Sequence, residues 1–197
     1  SPNDLIVADT GTKGEMILCR SSPEVSRAEF NIDEVLNGAD KRVVGTTSNI
    51  SGDIMIDPID LSKTQASVVR INARTLKTDS TRRDGAISRL ILKSEDDRYE
   101  FIEFRPTELS GLSGTFSSGK TLETKISGDL SIAGVTHKVV FDATINFVSE
   151  DRIEGNALTV VSYKDFNLTI PQVPFVASVD EKVTLKLNFV ALRSESD

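Results

Sequence analysis

From Thr136 to Val148 the chain alternates, with Val139, Phe141, Ala143, Ile145 and Phe147 on one side and Asp142, Thr144 and Asn146 on the other. A sustained period of two is the pattern of a strand buried on one face. Val183 to Ala191 repeats it, setting Val183, Leu185, Leu187, Phe189 and Ala191 against Thr184, Lys186 and Asn188. Comparable runs recur from Met16 to Tyr163, for a total of about eight strands, or nine if the run 42–57 bends at Gly52. Between them stand the turn pairs Asn37-Gly38, Ser118-Gly119 and Ala133-Gly134 and the turn Ser149-Glu150-Asp151. Links this short make neighbouring strands antiparallel. Two links differ. Residues 33–38 carry an N-cap aspartate, an acidic first turn and a terminal glycine, which predicts one helical turn. Residues 81–91 place Thr81 three residues before Asp84 and apolar side chains at 87, 90 and 91, which predicts a short amphipathic helix despite Gly85.

Long antiparallel strands of this kind close as a barrel or pack as a sandwich. The barrel is the better expectation, because closure hides the edges of so many long strands and the apolar faces are Val, Ile, Leu and Phe without any Trp. The expected fold class is therefore all-β: an extended antiparallel eight-stranded lipocalin-like β-barrel with one or two short helices. Its inward positions in the first half of the chain are Phe30, Ile32, Val44, Ile54, Ile56, Val69 and Ile71. In the second half they are Ile102, Phe104, Leu130, Ile132, Phe141, Ile145, Leu187 and Phe189. The helix at 82–91 would cover one mouth and add Ile87, Leu90 and Ile91. Inward apolar faces are what every barrel has, so plain core packing is the default for each residue. A barrel of eight strands is filled by its own side chains or holds one small ligand, and architecture alone does not choose.

The 197 residues are 38% hydrophobic and 27% charged, and no apolar run approaches the roughly 18 residues of a spanning helix, so stable membrane insertion is not expected. The 23 basic and 30 acidic residues leave a net charge of -7, which disfavours nucleic acid and anionic surfaces as partners. Cys19 is the single cysteine and His137 the single histidine. That leaves no zinc set, no nucleophile elbow and, beyond a bare Cys19–His137 dyad, no nucleophile with a base. Glu95-Asp96-Asp97 lacks the spacing of a calcium loop, and no phosphate loop or dinucleotide fingerprint occurs. No catalytic residue, metal site or cofactor is expected. The start Ser1-Pro2-Asn3-Asp4, without Met or a basic apolar leader, reads as a mature or trimmed chain whose targeting region, if any, is missing. Residues 1–15 read as an N-terminal extension, 16–193 as one barrel domain and 194–197 as a tail.

Ordered fragments along most of this length carry a family resemblance. They include Ser26-Arg27-Ala28-Glu29-Phe30-Asn31-Ile32, Val43-Val44-Gly45-Thr46, Ser51-Gly52-Asp53-Ile54 and Arg74-Thr75-Leu76-Lys77-Thr78-Asp79 followed by Arg83-Asp84. Ile102-Glu103-Phe104, Ser127-Gly128-Asp129-Leu130 through Thr136-His137-Lys138, and Lys164-Asp165-Phe166 complete the series. Together they resemble the YceI-like family of lipocalin-like bacterial proteins. Asn167 stands where that family often has Gly, and Asn tolerates the left-handed backbone such a turn needs. The resemblance implies an apolar tunnel that takes a long-chain lipid, a polyisoprenoid or isoprenoid quinone, with a fatty acid or fatty amide as the alternative. It also implies a periplasmic or extracellular location, and a monomer or homodimer is expected. An enzyme acting on an isoprenoid lipid is the reading from another class. Asp79, Arg82, Arg83 and Asp84 form the strongest polar cluster, either a contact to the lipid head group or an Arg–Asp brace in which Asp79 or Thr81 caps the helix. A strand of nine residues at a tilt near 40° gives a barrel roughly 23 Å high, so a long prenyl tail must bend inside or protrude.

Overall fold

The computed structural model describes residues 16–174 and 176–194. The expected extension, 1–15, and most of the expected tail, 195–197, lie outside them. Among the described residues twelve antiparallel strand segments make one sheet, and their pairings resolve into eight ribbons around a closed circuit. β1 (Ile17–Ser21) and β2 (Arg27–Leu36) lie end to end as the first ribbon. β3 (Ala39–Thr47), β4 (Ile50–Ser51) and β5 (Asp53–Ile56) form the second, pairing with β2 at one end and β1 at the other. β6 (Gln65–Ala66) and β7 (Val69–Asn72) form the third, against β5 and β4, and a lone bridge joins Thr46 to Lys77. β8 (Phe101–Ser110), β9 (Lys120–Ile132), β10 (Val135–Ser149) and β11 (Arg152–Ser162) follow as an antiparallel meander, with register shifts at Pro106–Glu108 and Phe147–Ser149. β12 (Val176–Arg193) then pairs with β11 on one side and with β2 and β1 on the other, which closes the circuit.

The excess of strand segments over the expected eight comes from breaks inside ribbons. Gly52 interrupts the second ribbon where the sequence expected a bend, and Ser48-Asn49 interrupts it once more. The helical turn expected over 33–38 is not there: β2 runs on to Leu36, and Asn37 and Gly38, with φ of 52° and 78°, make a tight hairpin turn into β3. Two consecutive positive φ values match the twist of the flanking strands, and Asn-Gly is the pair that supplies them. Local helix signals in Asp33 and Glu34 lose to that pairing. The expected helix does form, as α1 (Thr81–Ala86) continued by a π-helical turn over Ile87–Ile91. Its cap is Ser80 rather than Asp79 or Thr81, with Ser80 Oγ accepting from the Arg83 amide at 3.2 Å.

Two apolar clusters hold the barrel. Ile17, Cys19, Ile56, Leu61, Phe147 and Ile153 belong to the first, sealed by the loop segments that carry Leu61 and Leu112. Ala73, Leu76, Ile87, Leu130, Ile132 and Phe166 belong to the second, beneath α1. Asn167, at φ 54°, ends the short turn after Phe166 in the left-handed conformation expected there.

Candidate functional site

A cavity of about 670 Å³ runs through the barrel, within the range of small-ligand pockets. On β2 the wall is built by Ala28, Phe30, Ile32, Glu34 and Leu36, alternate residues of one strand face. Ile54, Val69, Ile71, Ile102 and Phe104 continue it around the circuit, then Leu130, Ile132, Phe141 and Ile145, then Leu187 and Phe189. Ile87, Leu90 and Ile91 add the lid surface below α1. The sequence pattern placed all of these inward except Ala28, Glu34 and Leu36. Two of its residues fall elsewhere. Val44 faces out and Val43 takes the wall position, because Gly45 must face inward to leave room for the Phe30 ring. Ile56 is fully buried in the first cluster, below the cavity floor.

The cavity opens beside α1. Exposed Arg82, Leu90 and Val173 stand on its rim with Leu36 and Asn37 of the β2–β3 turn. The segment before β12 lines the same opening with Ile170, Pro171 and Pro174. That stretch has neither period two nor helical spacing, so only its run of apolar residues and prolines marked it in the sequence. Glu34 escaped notice for another reason: assigned to a helical turn, it had no inward face.

Of the polar cluster, Arg82 and Arg83 line the cavity, Asp84 braces the backbone beside it, and Asp79 pairs with the Arg83 and Lys41 side chains. Asp84 Oδ1 accepts from the Thr78 amide at 2.8 Å and the Thr78 hydroxyl at 2.6 Å, tying the incoming loop to α1. Arg83 Nη1 donates to Asp79 at 2.6 Å, and Lys41 Nζ reaches the other Asp79 oxygen at 3.2 Å. Hydrogen bonds from Lys41 and then Arg83 hold the Asp79 carboxyl below the usual carboxylate range. Arg83 Nη2 also approaches Glu34 Oε1 at 3.6 Å.

The loop after the helix is pinned by Arg74. Its guanidinium donates to the Ser94 and Glu95 carbonyls and to Asp97 at 2.8 Å. Next to it, hydrogen bonds from the Arg98 side chain and amide hold Asp96 down to about 2. Glu95-Asp96-Asp97 is therefore a loop tied by arginines, and no metal-holding group of His, Cys, Asp and Glu occurs among the described residues. Cys19 is wholly buried in the first cluster, and burial pushes its thiol up, the wrong direction for a nucleophile. His137 is exposed and packs edge-on against Phe166 of the second cluster, so the two do not form a dyad.

An apolar tunnel inside an antiparallel barrel, with a short lid helix carrying an Arg-Asp pair, is the geometry in hand. The family model for the YceI-like domain matches residues 20–191. The chain belongs to the YceI-like family. Solved structures agree on the fold at low sequence identity. BcnA of Burkholderia cenocepacia superposes with a TM-score of 0.66 at 14% identity, covering 86% of this chain and 98% of that one. A polyisoprenoid binding domain from Saccharophagus degradans, implicated in plant cell wall breakdown, gives 0.66 at 11% identity over 91% of this chain and 100% of its own. The Campylobacter jejuni YceI protein gives 0.58 at 18% identity over 77% and 85%. No curated protein sequence matches the chain. Among the described residues no helix is long and apolar enough to cross a membrane.

Proposed function

We propose that this YceI-like barrel binds one long-chain lipid in its tunnel and holds it without chemical change. The observation that carries the reading is the cavity itself: a lumen walled by Val, Ile, Leu and Phe between two packed clusters, open to solvent at the α1 rim. A native core is filled to crystal-like density, so an apolar volume of this size is a place for an apolar guest. Each buried methylene contributes about 0.8 kcal/mol against roughly 4–15 kcal/mol for lost freedom on association, which favours chains well beyond ten carbons. The Saccharophagus domain's description as polyisoprenoid binding supports a prenyl chain, either a polyisoprenoid or an isoprenoid quinone. A periplasmic or extracellular site of action and a monomeric or homodimeric state belong to the same proposal.

Native mass spectrometry of gently purified protein, followed by solvent extraction, tests it. The expected result is one lipid per barrel, with an isoprenoid mass after extraction. A fatty acid or amide would replace the prenyl chain and keep the binding role, a lipid altered on incubation would make the protein an enzyme, and lipid-free protein that takes up no added prenyl chain would overturn the reading.

A further inference from the structure

The inner face of β2 reads Ala28, Phe30, Ile32, Glu34, Leu36, with one carboxylate among apolar residues. Glu34 is no surface charge that happens to lean inward. Its side chain is only 10% exposed, and Oε1 is buried without a hydrogen-bond partner among the described residues. Arg83 Nη2, at 3.6 Å, is within ion-pair range but too distant for a hydrogen bond. Arg83 is already committed through Nη1 to Asp79. Opposite Glu34, at Val179, β12 departs from regular register before resuming at Val183, and bulges of this kind often sit where a strand re-aims a side chain for function.

A buried acceptor left unpaired is costly, and proteins keep such groups where a partner arrives from outside. Here the partner must come through the mouth, at the head of whatever chain fills the tunnel. We propose that Glu34 is the head-group contact of the bound lipid and selects an uncharged head with an O–H donor, the chemistry of a long-chain alcohol or a hydroquinone. The hydroxyl donates to the Glu34 carboxylate where it lines the cavity, while its oxygen faces the Arg83 guanidinium. A carboxylate or diphosphate head brings a second negative charge against Glu34 in a site whose nearest cation is shared with Asp79, so anionic lipids are discriminated against. This inference rests on the lipid-binding reading and adds the identity of the head.

The test uses three probes with one C20 prenyl tail, the free alcohol, its methyl ether and its diphosphate, titrated into delipidated full chain. Wild type is expected to bind the alcohol about tenfold more tightly than either other probe. Glu34→Leu should lower alcohol affinity and erase the preference for the alcohol over the ether, with far-UV circular dichroism of the wild-type form showing that the variant folds. Glu34→Gln should lose discrimination against the diphosphate. Equal binding of alcohol and ether by wild type, or undiminished alcohol binding by Glu34→Leu, overturns the head-group assignment while the tunnel reading stands. Tightest binding of the diphosphate also overturns it and makes Arg82 and Arg83 an anion site. If none of the three binds, both readings fall.

Discussion

Phe30 lies over Gly45, directly opposite it in the β2–β3 register, and Phe189 lies over Gly155 in the same way across β11–β12. Phe104 covers Gly128 across β8–β9 and packs edge-on against Phe141 at 4.9 Å between centroids. A ring laid over a glycine restores the packing a bare backbone lacks and keeps the aromatic bulk along the wall. A Cβ at position 45 would sit inside the Phe30 ring, with Cδ1 of that ring 2.8 Å away. Gly45→Val should therefore lower stability by about 1–3 kcal/mol through overpacking, even though valine is the better strand former. Denaturant midpoints measure the loss, and Gly45→Val in a Phe30→Ala background should cost markedly less, the signature of direct coupling. This contact also decides strand phase. Val43 and Val44 are equally apolar, so alternation within the strand could not say which faces in, and only the long-range ring on Gly45 does. Most wall residues were legible because their strands alternate without such ambiguity.

At the scale of elements, the lid is a chain of ties from sheet to helix. Ser80 caps α1, Asp84 holds Thr78, and Arg74 gathers the carbonyls of Ser94 and Glu95 with Asp97. The helix at 81–91 was legible from its spacing; the ties were not, since carbonyl partners leave no mark in a sequence. The turn at 33–38 shows the opposite failure, because local capping signals in Asp33 and Glu34 were strong and the β2–β3 hairpin overrode them. That single reassignment turned Glu34 from a solvated helix residue into a wall residue. Replacing Arg74 by alanine leaves two carbonyls without their donor and frees the loop that follows the lid. The expected result is hydrogen exchange faster by about tenfold at the Leu92, Ser94 and Tyr99 amides, which close the turns of that loop. The Arg83 and Asp84 amides at the start of α1 should exchange as in wild type, because Ser80 still caps them.

For the whole molecule, the position of the cavity between two clusters governs how a ligand couples to stability. The first cluster needs no guest: Cys19, Ile56, Leu61, Phe147 and Ile153 are fully buried against one another and their loops. The strand circuit is likewise complete in backbone pairing without a ligand. Delipidated protein should thus remain folded, with the far-UV circular dichroism of the loaded form. Ligand binds only the folded barrel, so loading at a free concentration of about 100 times Kd adds about 2.7 kcal/mol. For a domain of this size that is a rise in Tm of roughly 5–11 °C. The gain should be spatially uneven. Amides of β2, β9 and α1, which wall or cover the cavity, should gain protection from hydrogen exchange, whereas those of Ile17 to Cys19 in β1, within the first cluster, should change little. Collapse of the circular dichroism signal on delipidation would instead make the lipid a part of the folding core. Uniform protection across both ends would place the guest against the first cluster as well as in the tunnel above it.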